Sequence, residues 1–143
     1  MKGLFRTPHR VWKLVLGVLT AAAFCILTDA AVATPEDDSF FTHLHTGKAM
    51  ANVTVTPGRS GPVGIAIQLE TVDETPLRAK GVSVTLSDTE TGRKLPTIVA
   101  SRSGEDGWEV KFVTLSAGKW MLGLLISISD ADEVRVESPI LIK

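Results

Sequence analysis

The alternation of apolar and polar residues with a period of two is the feature that most constrains the fold of this chain. It runs through most of the sequence after Met50, and its longest row is Trp120, Leu122, Leu124, Ile126 and Ile128. Successive side chains of a β-strand point to opposite faces, so each row predicts a strand with one face in a core and one in water. We find no convincing 3.6-residue period, and therefore no predicted amphipathic helix, in this region.

Turn-forming residues divide these rows into about seven strands. Clusters of Gly, Pro, Asp and Ser, such as residues 57–62 and 88–92, separate the rows. The predicted strands cover residues 51–56, 62–71, 81–87, 95–101, 108–115, 119–129 and 133–142. In the fifth strand, Trp108, Val110 and Phe112 form the predicted core-facing row. Seven short strands in about 100 residues are typical of an immunoglobulin-like antiparallel β-sandwich, so the predicted fold class is all-β.

The first 33 residues have the organisation of a signal peptide. Four basic side chains and no acid occur in residues 1–13, an uncharged run covers residues 14–28, and Ala31-Val32-Ala33 forms a cleavage motif of small residues. The alternative is an uncleaved membrane anchor, but Asp29 ends the run short of the about 20 apolar residues that cross a bilayer. We expect cleavage after Ala33, export to the periplasm or cell exterior, and contact with the membrane only through this peptide.

The expected cleavage site sets the predicted domain boundaries. They are a signal peptide over residues 1–33, a flexible lead-in over 34–42 and a β-sandwich domain over 43–143. The whole chain has a net charge of −1, and removal of the peptide leaves 11 basic and 15 acidic residues, a net charge of −4. This balance argues against nucleic acid as a partner, because nucleic-acid binding needs a basic surface. The one cysteine, Cys25, lies in the peptide, so no disulfide is expected within the chain.

The candidate chemistry lies at the start of the predicted domain, in His43 and His45. Residues two apart in an extended segment project to the same face, so the two imidazoles can converge on one ion. Imidazole nitrogen suits copper, zinc and nickel, and the thioether of Met50 would suit Cu(I) if the chain bends near Gly47. The alternatives are two solvated histidines near a frayed terminus and a methionine that belongs to the core. Neutral imidazole is the metal-binding form, so affinity should fall below about pH 6.5.

Enzymatic activity is not expected from this sequence. A Ser-His-Asp triad needs a buried, oriented histidine, and no serine stands in a Gly-x-Ser-x-Gly elbow. The paired carboxylates fall in predicted turns or in the lead-in, where solvated acids are the simpler interpretation: Asp37-Asp38, Asp73-Glu74, Glu105-Asp106 and Asp132-Glu133.

Two segments carry a family resemblance. They are the run from His43 to Val53, with the sequence HLHTGKAMANV, and the run from Pro57 to Pro62, with the sequence PGRSGP. Together they resemble the start of the extracytoplasmic C-terminal domain of CopD-type copper resistance proteins, including CopC–CopD fusions. Shorter pieces, Gly107-Trp108 and Gly118-Lys119-Trp120, also resemble YtkA-like and FixH-like exported sandwich domains.

The resemblance implies an immunoglobulin-like periplasmic domain that handles copper, with His43, His45 and Met50 as candidate ligands. The copper site of CopC itself does not carry over, because Asp130-Ala131-Asp132 contains no histidine and the expected mature N-terminus is Thr34. The expected function is a small chaperone or buffer for Cu(II) or Cu(I), with a membrane copper transporter or a copper-accepting envelope protein as partner. The alternative is a non-catalytic interaction module that docks on a membrane transporter or envelope protein.

Overall fold

The structure, a computed structural model, describes residues 38–143. The predicted signal peptide, its cleavage site and residues 34–37 of the lead-in lie outside the described residues. The described part forms nine strands: β1 (Phe40–His45), β2 (Met50–Thr56), β3 (Gly61–Glu70), β4 (Gly81–Asp88), β5 (Ile98–Val99), β6 (Ser101–Arg102), β7 (Gly107–Leu115), β8 (Gly118–Ser127) and β9 (Glu133–Ile142). A search of these residues for a helix long and apolar enough to span a membrane finds none.

The strands form two antiparallel sheets around one core. Sheet A has the order β1-β2-β3-β7-β6, and sheet B has the order β5-β4-β8-β9. The inward rows of both sheets supply the core cluster, in which Trp120, Leu122 and Ile126 have no measurable exposure. Trp108 is also buried there, and the guanidinium of Arg102 lies 4.4 Å from the centre of its ring. The predicted all-β antiparallel sandwich is confirmed.

Strand β1 is not among the seven predicted strands, the first of which begins at residue 51. Residues 40–42, expected in the flexible lead-in, belong to β1, which pairs with β2 from Phe40 opposite Val55 to His45 opposite Met50. Phe40 and Leu44 pack on the core, but Thr42 takes the inward position between them. The inward row is therefore interrupted by a polar residue, which is why the alternation in this segment is weak.

The predicted strand over residues 95–101 is replaced by two strands of two residues each. Ile98 of β5 pairs with Val84 in sheet B, whereas Arg102 of β6 pairs with Trp108 in sheet A. Ala100 lies between them, is buried, and donates its backbone N–H to the oxygen of Val82 at 2.9 Å. The segment crosses from one sheet to the other, so it cannot form one continuous strand.

A β-bulge in β7 corrects the prediction for Phe112. Strands β3 and β7 pair Ile65 with Val110 and Val63 with Val113, so two residues of β7 lie opposite one residue of β3 between these pairs. The extra residue changes the phase of the alternation, and Val113 rather than Phe112 takes the next inward position. Phe112 is 82% exposed, so the prediction that it faces the core is wrong.

The turn over residues 57–60 joins β2 to β3 and binds both ends of the described chain. The N–H of Gly58 donates to the carbonyl oxygen of Asp38, and the oxygen of Gly58 accepts from the N–H of Lys143 at 2.9 Å. Ser60 donates its N–H to the oxygen of Lys143 at 2.7 Å. A Cβ atom at residue 58 would collide with the Asp38 carbonyl, which explains the glycine there. This part of the family-like segment therefore has a structural role.

Candidate metal site on the outer face of sheet A

His43 and His45 lie side by side on the solvent face of β1. Leu44 between them is buried in the core, so the alternation of the strand turns both imidazoles outward, and both are exposed. The centres of the two rings are 4.2 Å apart, and the ring planes meet at 71°. The structure thus places the two predicted ligands on one face and in contact with each other.

Asn52 of β2 determines which nitrogen of His43 is available. The two residues are directly opposite in the pairing of β1 with β2, and the Nδ1 atom of His43 is hydrogen-bonded to the Oδ1 atom of Asn52. An amide oxygen accepts, so this contact favours the tautomer with the proton on Nδ1 and the lone pair on Nε2. Metal-binding histidines commonly donate their second N–H to a carbonyl or carboxylate oxygen in this way. His43 is therefore arranged to present Nε2 as a ligand.

The turn over residues 46–49 brings Met50 opposite His45. Thr46 closes this turn: its N–H donates to the oxygen of Ala49 at 2.9 Å, and its hydroxyl oxygen accepts from the N–H of Ala49 at 2.9 Å. The bend expected near Gly47 is present, and His45 pairs directly with Met50. Directly opposed residues project to the same face, with Cβ atoms about 4.5–5.5 Å apart. The Met50 side chain therefore starts from the same side of the sheet as the imidazoles.

Met50 is buried without being part of the core between the sheets. Its exposure is 6%, yet the inward positions of β2 belong to Ala51, Val53 and Val55, and Met50 lies outside the core cluster. On its other side it pairs with Glu70 of β3. The Met50 side chain is thus covered, whereas the imidazoles of His43 and His45 are exposed.

The carboxylates of the turn before β9 are paired with lysines. Asp132 forms an ion pair with Lys48 at 2.5 Å, and Asp130 forms one with Lys80 at 2.6 Å. Across residues 38–143, no group of three or more His, Cys, Asp or Glu residues is arranged to hold a metal ion. The described part therefore brings together two exposed imidazoles, with the buried Met50 on the facing strand.

A shallow depression of about 520 Å³ lies on the outer face of the same sheet. Asn52 and Gln68 line it on the side of His43, and Phe41 lines it on β1. Gln68 donates from Nε2 to the Oδ2 atom of Asp106 at 3.2 Å, so its amide is held away from His43. Asn52 and this depression were missed by sequence reasoning, because both depend on the register between β1 and β2.

No family model matches this sequence, and no curated protein matches it. Among solved structures, the soluble domain of PmoD from Methylocystis sp. ATCC 49242 (Rockwell) is similar with a TM-score of 0.52 and 11% identity, over 71% of this chain and 97% of that one. FetP from uropathogenic E. coli strain F11 is similar with a TM-score of 0.51 and 8% identity, over 72% of this chain and 95% of that one. CopC from Methylosinus trichosporium OB3b gives a TM-score of 0.46 at 13% identity, over 59% of this chain and 79% of that one.

At these low identities, the PmoD soluble domain and FetP show that this chain shares their fold. The resemblance of residues 43–63 to the CopD-type domain has no matching family model behind it and stays a prediction from the sequence. The case for His43, His45 and Met50 as candidate ligands therefore rests on the geometry of β1 and β2.

Proposed function

We propose that this chain is an exported copper-binding domain that acts as a small chaperone or buffer. The observation that carries the proposal is the contact of the His43 and His45 rings at 4.2 Å, with the Nδ1 atom of His43 bonded to Asn52. Ligand nitrogens lie about 2.0–2.1 Å from a first-row metal ion such as zinc, so two rings in contact are within reach of one ion. The sequence resemblance of this hairpin to copper resistance proteins supports the choice of copper.

The ligand chemistry favours copper over other first-row metals. Among divalent ions, Cu(II) binds nitrogen ligands most strongly, and thioether sulfur favours Cu(I). His43 and His45 would serve both oxidation states, and the sulfur of Met50, directly across from His45, would favour the reduced one. This combination allows the metal to be held in either state.

The exposure of the site suits exchange rather than permanent storage. Both imidazoles lie at the surface of an edge strand, so an ion can enter and leave without opening the core. Two or three protein ligands leave open coordination positions on the ion. An acceptor protein can therefore bind the ion before this chain releases it. Protons compete for the same imidazole nitrogens, so copper affinity should fall as the pH is lowered.

A titration with matched variants tests the proposal. The purified chain is titrated with Cu(II) against a competing chelator, and with Cu(I) under reductant, beside the double variant His43→Gln with His45→Gln. We expect one Cu(II) per wild-type chain and loss of binding in the double variant. Met50→Leu should keep Cu(II) binding and weaken Cu(I) binding, because it removes the sulfur while keeping the volume.

The control is the double variant Asp130→Asn with Asp132→Asn, which removes two exposed carboxylates from the turn before β9. It should bind copper like the wild type. Weak binding that is equal in the wild type and the histidine variant would contradict the proposal and favour the non-catalytic interaction module. Circular dichroism of each variant checks that the sandwich is intact.

A further inference from the structure

A small hollow lies on the outer face of sheet B, over Gly123 in the middle of β8. Gly123 pairs with Thr85 of β4 on one side and with Glu137 of β9 on the other. A Cβ atom at residue 123 would collide with the Oγ1 atom of Thr85, so the hollow depends on the missing side chain. A glycine inside a strand often marks a place where a ligand approaches the backbone closely.

Hydroxyl groups line the hollow on the side of β4 and β5. They belong to Ser83 and Thr85 of β4 and to Thr97, which lies just before β5, while Leu125 of β8 adds an apolar surface. Each hydroxyl can donate one hydrogen bond and also accept, so this side can bind either end of a polar ligand. The volume of the hollow is about 130 Å³. It would hold about four water molecules at about 30 Å³ each, which limits a ligand to a small molecule.

Two opposite charges line the hollow on the side of β9. Arg135 and Glu137 are two residues apart and both exposed, so the alternation of the strand turns them to the same face. Arg135 is opposite Leu125, and Glu137 is opposite Gly123. Among the ion pairs of residues 38–143, none involves either of these side chains, and they do not pair with each other. The hollow therefore has a cation and an anion that are not neutralised by the described part of the chain.

This combination of groups fits a zwitterion. The guanidinium of Arg135 offers parallel N–H donors that match a carboxylate, and the carboxylate of Glu137, with the hydroxyls, can accept from an ammonium group. A ligand with a single charge would meet one like charge in the hollow. We infer that the hollow binds a small amino acid such as glycine or alanine, with its carboxylate at Arg135 and its ammonium group at Glu137. The site lies on the sheet opposite His43 and His45, so it does not depend on copper and leaves both histidines uncovered.

Titration of the metal-free, ¹⁵N-labelled chain with glycine or alanine, followed by NMR, tests this site. The chain must be free of copper, because amino acids chelate copper themselves. We expect saturable shifts of the amide signals around the hollow, including those of Gly123 and Leu125. Acetate and methylammonium, which each carry one of the two charges, should bind at least about tenfold more weakly, since each lacks hydrogen bonds to one charged side chain.

Variants of the two charged residues supply the second arm of the test. Arg135→Gln and Glu137→Gln should each weaken glycine binding at least about tenfold, because each removes a charged hydrogen-bonding partner of the ligand. Glu133→Gln is the matched control: Glu133 is exposed on the same strand but lies outside the hollow, where it accepts from the Oγ atom of Ser127 at 3.2 Å. It should bind glycine like the wild type, and melting curves check that each variant is folded.

Three results would overturn the inference. The first is the absence of saturable shifts with either amino acid. The second is binding of acetate as tight as that of glycine, which would make the hollow a site for anions only. The third is an equal loss of glycine binding in Glu133→Gln and in the two hollow variants, which would indicate a general effect of charge.

Discussion

At the residue scale, Asn52 links the metal chemistry of His43 to the pairing of β1 with β2. Its amide oxygen is hydrogen-bonded to Nδ1, which favours the tautomer that leaves the lone pair on Nε2. Gln68 occupies the next position in the same cross-strand row, but its amide is bonded to Asp106. A comparison of variants at Asn52 and Gln68 can therefore distinguish an effect on the ligand His43 from a general effect on the surface.

Replacing Asn52 by leucine should weaken copper binding about 10- to 100-fold, because partners of metal ligands typically contribute that much to affinity. Asn52→Asp should keep the affinity, since a carboxylate also accepts the Nδ1 proton. The measurement is a competition titration at several pH values, because proton competition at the imidazoles changes when the tautomer is no longer fixed. Gln68→Leu is the control and should bind copper like the wild type. Equal losses in both leucine variants would show that Asn52 has no specific role.

At the element scale, the bulge in β7 shows how one residue changes the exposure of a strand. Trp108 and Val110 face the core before the bulge, and Val113 and Leu115 face it afterwards, so two inward rows are joined with one residue too many. Deleting Phe112 should restore an uninterrupted alternation in which Lys111 alone lies opposite Gly64. We expect this variant to fold cooperatively, with a thermal midpoint within about 5 °C of the wild type.

The matched control is the deletion of Glu109, which lies three residues before Phe112 in the same strand. Its loss forces either Trp108 or Val110 out of the core, because a slip of one residue reverses the face of every side chain. That variant should lose several kcal/mol of stability or fail to fold, as expected for exposing large core residues. Thermal unfolding followed by circular dichroism compares the two deletions. Similar losses in both would show that the bulge is needed for the fold itself.

The turn that follows β4 depends on the charge of Asp88. The Oδ1 atom of this residue accepts the backbone N–H groups of Thr91 at 3.1 Å and Glu90 at 2.9 Å. These hydrogen bonds lower the pKa of Asp88 below its ordinary value, and the bond from Thr91 has the largest effect. A carboxyl group whose pKa is lower in the folded state stabilises the fold fully above its unfolded pKa of about 3.9, and that stabilisation is lost as the pH falls through the folded pKa.

The Asp88→Ala variant should therefore melt below the wild type at neutral pH, and the difference should shrink as the pH falls below about 4. Asp88→Asn keeps an oxygen acceptor without the charge. At neutral pH its melting temperature should therefore fall less than that of the alanine variant. Melting curves of the three proteins across this pH range make the comparison. If the difference in melting temperature between the wild type and the alanine variant stays constant through the acid range, ionisation of Asp88 does not stabilise the turn.

Sequence reasoning succeeded where a strand keeps one set of neighbours along its length. The rows in β3, β4, β8 and β9 were predicted because their inward residues all face the same core. It failed at β1, at the crossing around Ala100 and at Phe112, since an edge position, a change of sheet and an inserted residue each break the period. The placement of His43 and His45 on one face of the strand followed from their spacing alone. The contacts of Asn52 and Met50 required the register that Thr46 sets.

At the scale of the whole molecule, the candidate ligands lie where the two sheets approach each other at one edge. Strand β1 ends the order of sheet A and β9 ends the order of sheet B, and the hydroxyls of Thr42 and Ser138 are 3.0 Å apart across this edge. Within the described residues, β1 has only β2 as a pairing partner. Local opening of β1 would separate His43 and His45 from Asn52 and Met50, so an ion held by both strands would oppose that opening.

Cu(I), which Met50 of β2 would bind together with the two histidines of β1, should accordingly stabilise the fold, and mainly through β1. A ligand that binds only the folded state adds about 2.7 kcal/mol to the free energy of unfolding when its free concentration is 100 times its dissociation constant. We expect this gain in the wild type and none in the variant His43→Gln with His45→Gln. Hydrogen exchange followed by mass spectrometry should show slower exchange on copper addition in peptides that cover β1 and β2, while β4 in the other sheet stays unchanged. Slower exchange spread evenly over both sheets, or an equal gain in the histidine variant, would place the ion elsewhere on the molecule, because only an ion that joins β1 to β2 resists the separation of those two strands.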